Sequence, residues 1–122
     1  MKYYLLFILL LLSGFALQAQ SQRVLLESKD EIVAQATKEL DSAMLAPKGE
    51  LYLFGQKQKL SGEYTLQLTI REKGQVVSVF VVDKKDGNIP SQNSLKDRIL
   101  NFRFSFKMPK KKDYKFTYTF KF

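Results

Sequence analysis

From Gly62 onward the chain alternates strictly, with Tyr64, Leu66, Leu68 and Ile70 on one side and Thr65, Gln67, Thr69 and Arg71 on the other. A period of two over that length predicts a half-buried β-strand. Glu72-Lys73-Gly74-Gln75 follows as a tight connection, with Gly74 free to take the left-handed conformation of a bulged hairpin loop. The next run, Gln75 to Asp83, holds Val76, Val77, Val79, Phe80, Val81 and Val82 and is apolar on both faces. That predicts a strand central in its sheet and the most buried element of the fold.

Upstream the period changes. Ser28 stands three residues before Glu31, the spacing at which each side chain satisfies a free backbone N–H at a helix start. Val33, Ala36, Leu40 and Met44 then recur at steps of three and four, widened by Ile32 and Ala43, until Ala46-Pro47-Lys48-Gly49 ends the pattern. An amphipathic helix is expected, with Gln35, Lys38 and Asp41 on its polar face. Leu51-Tyr52-Leu53-Phe54, closed by Gly55, is too short a run for a helix and is expected as an edge strand or a covering loop.

Beyond the hairpin, Asp83 to Pro90 is rich in turn formers, and Ser94-Leu95-Lys96-Asp97 repeats the capping spacing ahead of Ile99, Leu100 and Phe102. A second, shorter helix is expected there. Phe102, Phe104 and Phe106 return to a period of two, Pro109 to Asp113 interrupts, and Tyr114, Phe116, Tyr118, Phe120 and Phe122 alternate with Lys and Thr. The chain should end as a strand with one aromatic face. Helix, hairpin, helix and strand together predict an α+β domain: an antiparallel sheet with helices on one face.

The N-terminus belongs to a different pattern. Lys2, an apolar run from Leu5 to Leu12, and Ala16-Leu17-Gln18-Ala19 have the layout of a secretory signal peptide cleaved after Ala19. Tyr3 to Leu17 falls short of the about 20 apolar residues that a bilayer span needs. The expected organisation is a signal peptide over 1–19 and one domain over 20–122, periplasmic or secreted. Cleavage removes Lys2 and no acid, so the formal charge of +8 falls by one.

Composition narrows the chemistry. The chain of 122 residues has no His, no Cys and no Trp. Every mechanism that needs an imidazole or a thiolate is therefore excluded, including Ser-His-Asp and Cys-His nucleophiles and zinc-finger sites. Without disulfides, the exported domain must be held by packing alone. No converging set of carboxylates, Lys, Ser and Tyr is evident, so no enzymatic activity, catalytic residue or cofactor is expected.

Gly62, Tyr64, Leu66, Leu68, Ile70, Gly74, Val76, Val79 and Val81 stand at spacings that resemble the hairpin of the TonB C-terminal domain family. Residues about 60 to 122 take part in the resemblance, which continues through a helix around Leu95 and Ile99, an aromatic step at Phe102 and Phe104, Pro109, and a final strand at Phe120 and Phe122. It implies a β-β-α-β module, here preceded by an amphipathic helix, whose last strand pairs with a short peptide of an envelope partner. By position that strand is Tyr114 to Phe122. The family's Tyr-Pro pair ahead of the hairpin, its Pro-rich spacer and the His of a transducer's membrane helix have no counterpart here, so the resemblance implies a stand-alone binding module.

Candidate partner-binding residues are therefore Tyr114, Lys115, Phe116 and Tyr118 on that strand and Lys110, Lys111 and Lys112 just before it. Strand addition would supply backbone hydrogen bonds for affinity and side-chain pockets for selectivity. The same lysines suit an anionic membrane surface or an acidic protein, and equally a solvated loop that discourages edge-to-edge aggregation. Export argues against nucleic acid as a partner, and a second copy paired through edge strands is the remaining kind of partner. A cystatin-like inhibitor or immunity-type protein is the alternative architecture and function; it would keep a continuous meander with no helix between its last strands. Asp83, Asp86 and Asn88 sketch a calcium loop, but Lys85 takes a ligand position and no closing Glu follows, so no metal is expected. Glu31, Glu39 and Asp41 are expected as a charged helix face.

Overall fold

The computed structural model describes residues 23–122. The signal-peptide segment lies outside the described residues. The elements are α1 (Lys29–Ala43), α2 (Glu50–Lys57), β1 (Glu63–Arg71), β2 (Gln75–Lys85), α3 (Ile89–Leu100) and β3 (Tyr114–Lys121). The three strands form an antiparallel sheet in the order β2-β1-β3. The α+β class is as expected, and α3 sits between β2 and a last strand that returns to β1. That return breaks the continuous meander of the cystatin-like alternative.

The first helix starts where its cap spacing places it. Ser28 is extended, and its hydroxyl accepts the Glu31 N–H at 3.2 Å. Asp30 and Glu31 lie in the first turn, where carboxylates meet the positive end of the helix dipole. The buried stripe runs Ile32, Ala36, Leu40 and Ala43, with Val33 and Met44 only partly covered.

Leu51 to Phe54 is not a strand but the heart of α2. Gly49 precedes the helix, Glu50 stands in its first turn and Lys57 in its last, and Leu51 and Gly55 share one buried face at a four-residue step. The apolar run is one turn of a short helix, and its period was hidden by its brevity.

β1, not β2, is the central strand. Tyr64, Leu66, Leu68 and Ile70 are wholly buried. β2 is an edge, and its unbroken apolar run has another cause than burial on both sides. Its register against β1 shifts twice, so that Val77 and Val82 have no partner of their own. Each is the extra residue of a β-bulge, which restarts the alternation out of phase. Phe80 and Val82 are left 64% and 53% exposed.

β2 continues to Lys85, through what the turn-rich sequence suggests is loop. α3 likewise begins five residues before the expected cap. Asn88 is its N-cap, accepting the Ser91 N–H at 2.8 Å, and Pro90 occupies the first turn, where no donor is required. Ser94 therefore lies within the helix. Asn88 also donates from its side chain to the Ser61 hydroxyl at 3.2 Å, so it serves a cap and a tether.

Between α3 and β3 the chain runs extended, and Phe102, Phe104, Phe106 and Met108 all turn inward. Its backbone clasps the hairpin turn: Phe104 N–H donates to Gly74 O at 2.9 Å and Met108 N–H to Glu72 O at 2.7 Å. Gly74 has φ of +74°, and a Cβ there would stand 2.6 Å from the Phe104 carbonyl oxygen, so both conformation and space demand glycine. On its other side the segment pairs with the entering chain through Leu26 N–H to Lys107 O and Lys107 N–H to Val24 O, both 2.9 Å. The buried apolar residues of α1, α2, α3, the sheet and this segment form one cluster.

Candidate functional site: the outer edge of β3

β3 pairs with β1 over eight consecutive residues without a register shift. Among the described residues no further strand lies beyond it. The direction of its backbone groups follows from one bond. Phe122 N–H donates to Gly62 O at 3.0 Å, continuing the ladder past Lys121. In an antiparallel pair, alternate residues of a strand point their N–H and C=O the same way. Residues 114, 116, 118 and 120 therefore bond to β1, and Lys115, Thr117, Thr119 and Lys121 turn theirs outward, onto the open edge.

Side chains divide in the opposite sense. Tyr114, Phe116, Tyr118 and Phe120 face the helical layer, and Lys115, Thr117, Thr119 and Lys121 lie exposed on the other face of the sheet. Thr119 and Thr65 hydroxyls meet across the pair at 3.0 Å. Of the sequence candidates, Phe116 is a core residue: it is 7% exposed, with its ring edge-on to Phe104 at 6.3 Å. Both its side chain and its backbone bonds are committed inside the molecule. Tyr114 and Tyr118 are half-buried. Lys110, Lys111 and Lys112 are exposed in the loop before β3, with Lys111 at φ of +64°. That loop is tied down by Asp113, whose carboxylate accepts two bonds from the Arg71 guanidinium at 3.1 and 3.3 Å. The hydrogen bond holds the Asp113 carboxyl below the usual carboxylate range and raises the Arg71 guanidinium in turn.

A cleft of about 360 Å³ flanks the strand, lined by Asp41 and Met44 of α1 and by Tyr118, Thr119 and Lys121. Across it the Tyr118 hydroxyl donates to the Asp41 carboxylate at 2.5 Å. Burial, then the hydrogen bond to Asp41 and its negative charge, push the Tyr118 phenol well above its ordinary value. It is a neutral donor throughout the physiological range. The cleft thus has an apolar wall in Met44 and the Tyr118 ring, a carboxylate and an ammonium group, and a row of outward backbone groups along one side.

Two features of this site were not anticipated from sequence. Asp41 belongs to it, although a helical acid two elements away gives no sign of meeting a C-terminal tyrosine. Glu39, expected as part of a solvated face, instead accepts the Ser105 N–H and hydroxyl, each at 2.8 Å, and a Gln35 amide N–H at 2.9 Å. It moors the Phe102–Met108 segment to α1. The loop around Asp86 is no cation cage, since Asn88 is spent on the cap of α3, and among the described residues no group of three His, Cys, Asp or Glu could hold a metal. No helix among them is long and apolar enough to cross a membrane.

Compared with known proteins, the chain matches no family model, no curated protein and no solved structure.

Proposed function

We propose that the protein is an exported, non-enzymatic interaction module that captures an extended segment of an envelope protein by β-strand addition along β3. The observation that carries this reading is the difference between the two edges of the sheet. β2 is bulged twice, and its first residue is already bridged to Arg103. Bulges and covered ends are the devices by which proteins disable an edge. β3 has neither, and its outward N–H and C=O groups lie beside a cleft that can take a side chain of the incoming strand. Backbone pairing would supply affinity, with Met44, Tyr118, Asp41 and Lys121 selecting the sequence. The resemblance of residues 60–122 to TonB C-terminal domains supports the same edge, its β-β-α-β order having a counterpart in β1, β2, α3 and β3.

The test uses a photo-crosslinking residue at Thr117 in the producing cell, with a second at Ser78 on β2 as control. A discrete adduct from position 117 and none from 78 is expected. Thr119→Pro should abolish that adduct while circular dichroism stays unchanged, because proline there removes an outward donor and no bond to β1. An adduct of equal yield from both positions, or one that survives the proline, rejects the reading.

A further inference from the structure

The positive charge of the chain is not spread evenly. Arg71 and Lys73 flank the turn between β1 and β2, and Arg23 donates to the Lys73 carbonyl beside them. The segment that clasps this turn and leads into β3 adds Lys107, Lys110, Lys111, Lys112 and Lys115, and all eight cations are exposed. Their acidic neighbours within these stretches are Glu72 and Asp113 alone, the latter engaged with Arg71. Outside this set the described residues carry eleven cations against ten carboxylates. Nearly all of the excess therefore sits at one end of the sheet.

Apolar groups stand among these charges. Val24 and Leu25, whose backbone pairs with Lys107, are 66% and 46% exposed. A shallow cleft of about 240 Å³ opens between Lys73, Lys107 and Lys110 over Met108. Exposed aliphatic groups within a basic cluster suit a surface whose charges are lipid phosphates and whose interior is hydrocarbon. They do not suit single-stranded nucleic acid, which needs exposed rings for its bases to stack on. Here Phe104 and Phe106 are buried.

From this juxtaposition we propose that the turn end of the sheet docks on an anionic membrane surface, with the lysines on headgroup phosphates and Val24 and Leu25 entering the interface. The docking uses side chains at the end of the sheet and does not depend on what β3 pairs with. It leaves the β3 edge pointing along the membrane plane or away from it.

The experiment is co-sedimentation of the exported protein with vesicles of phosphatidylcholine, alone or with about 30% phosphatidylglycerol, at about 0.05 M and about 0.5 M salt. Binding is expected only with the anionic lipid and only at low salt. Replacing Lys107, Lys110, Lys111 and Lys112 by Gln should weaken it at least about tenfold. The same change at Lys57, Lys59, Lys84 and Lys85, at the far end of the sheet, should weaken it much less. Equal losses in the two variants would reduce the effect to net charge and overturn the proposal. Salt-resistant binding to pure phosphatidylcholine, or binding to a single-stranded oligonucleotide stronger than to the anionic vesicles, would overturn it as well.

Discussion

Tyr118 shows how a residue of ordinary type acquires a particular job from what it faces. Its ring packs edge-on against Phe120 at 4.7 Å, and its hydroxyl spans to Asp41 on a helix that precedes it by 77 positions. Burial and that carboxylate raise the phenol's ionisation above its unfolded value of about 10. A group whose proton is held more tightly in the folded state contributes its full stability below the unfolded value and loses it as pH rises toward the folded one. The stability difference between the unaltered protein and Tyr118→Phe should therefore be constant from neutral pH to about 10 and shrink above it. Urea titrations of both proteins across that range measure the difference, and a constant gap up to about pH 11.5 would mean that the bond to Asp41 does not form in solution. None of this was legible from sequence: the alternation places Tyr118 on the inner face of β3, but contact with Asp41 depends on how α1 crosses the sheet.

At the scale of elements, the parts read correctly from sequence are those whose periodicity had room to repeat. α1 has four turns and a side-chain cap, and β1 and β3 alternate without interruption. The misread parts are those where the period was broken or too brief. Two bulges turned an edge strand into an apparent central one, and α2 has only two turns. The start of α3 was lost because Asn88 caps as well as Ser94 could have, and nothing local distinguishes them. The Phe102–Met108 segment is an intermediate case. Its alternation was plain, yet its partners are a turn, the entering chain and Glu39 rather than a neighbouring strand. Glu39→Gln tests that mooring, since it removes the charge and sets an amide donor against the Ser105 N–H. Hydrogen bonds to charged groups contribute about 1.5–3 kcal/mol, and partial exposure places the expected loss near the lower bound. Exchange of the Ser105 amide should quicken more than that of the amides in β1; equal acceleration at both would show global destabilisation in place of a local tether.

At the scale of the molecule, the sheet separates a buried layer from an open one, and two phenylalanines on opposite sides measure that separation. Phe104 is wholly buried, with ring centroids of Phe102, Phe106 and Phe116 at 4.9, 5.4 and 6.3 Å. Its backbone also binds the hairpin turn. It thus joins the crossing segment, the turn and the edge strand β3 into one cluster. Phe80 lies on the uncovered face, opposite Gln67. Truncating a buried Phe to Ala costs about 3–5 kcal/mol through lost transfer energy and the cavity left behind. A domain of this size without disulfides has about 5–15 kcal/mol in total. Phe104→Ala should therefore lower the urea midpoint by a large fraction or leave the chain unfolded, whereas Phe80→Ala should change stability by no more than about 0.5 kcal/mol, as exposed substitutions do. Midpoints for the two variants, taken at one pH and one salt concentration, decide the matter. Equal losses would mean that the face bearing Phe80 is covered in solution, by a second copy or by another protein, and a dependence of the Phe80→Ala loss on protein concentration would identify the second copy.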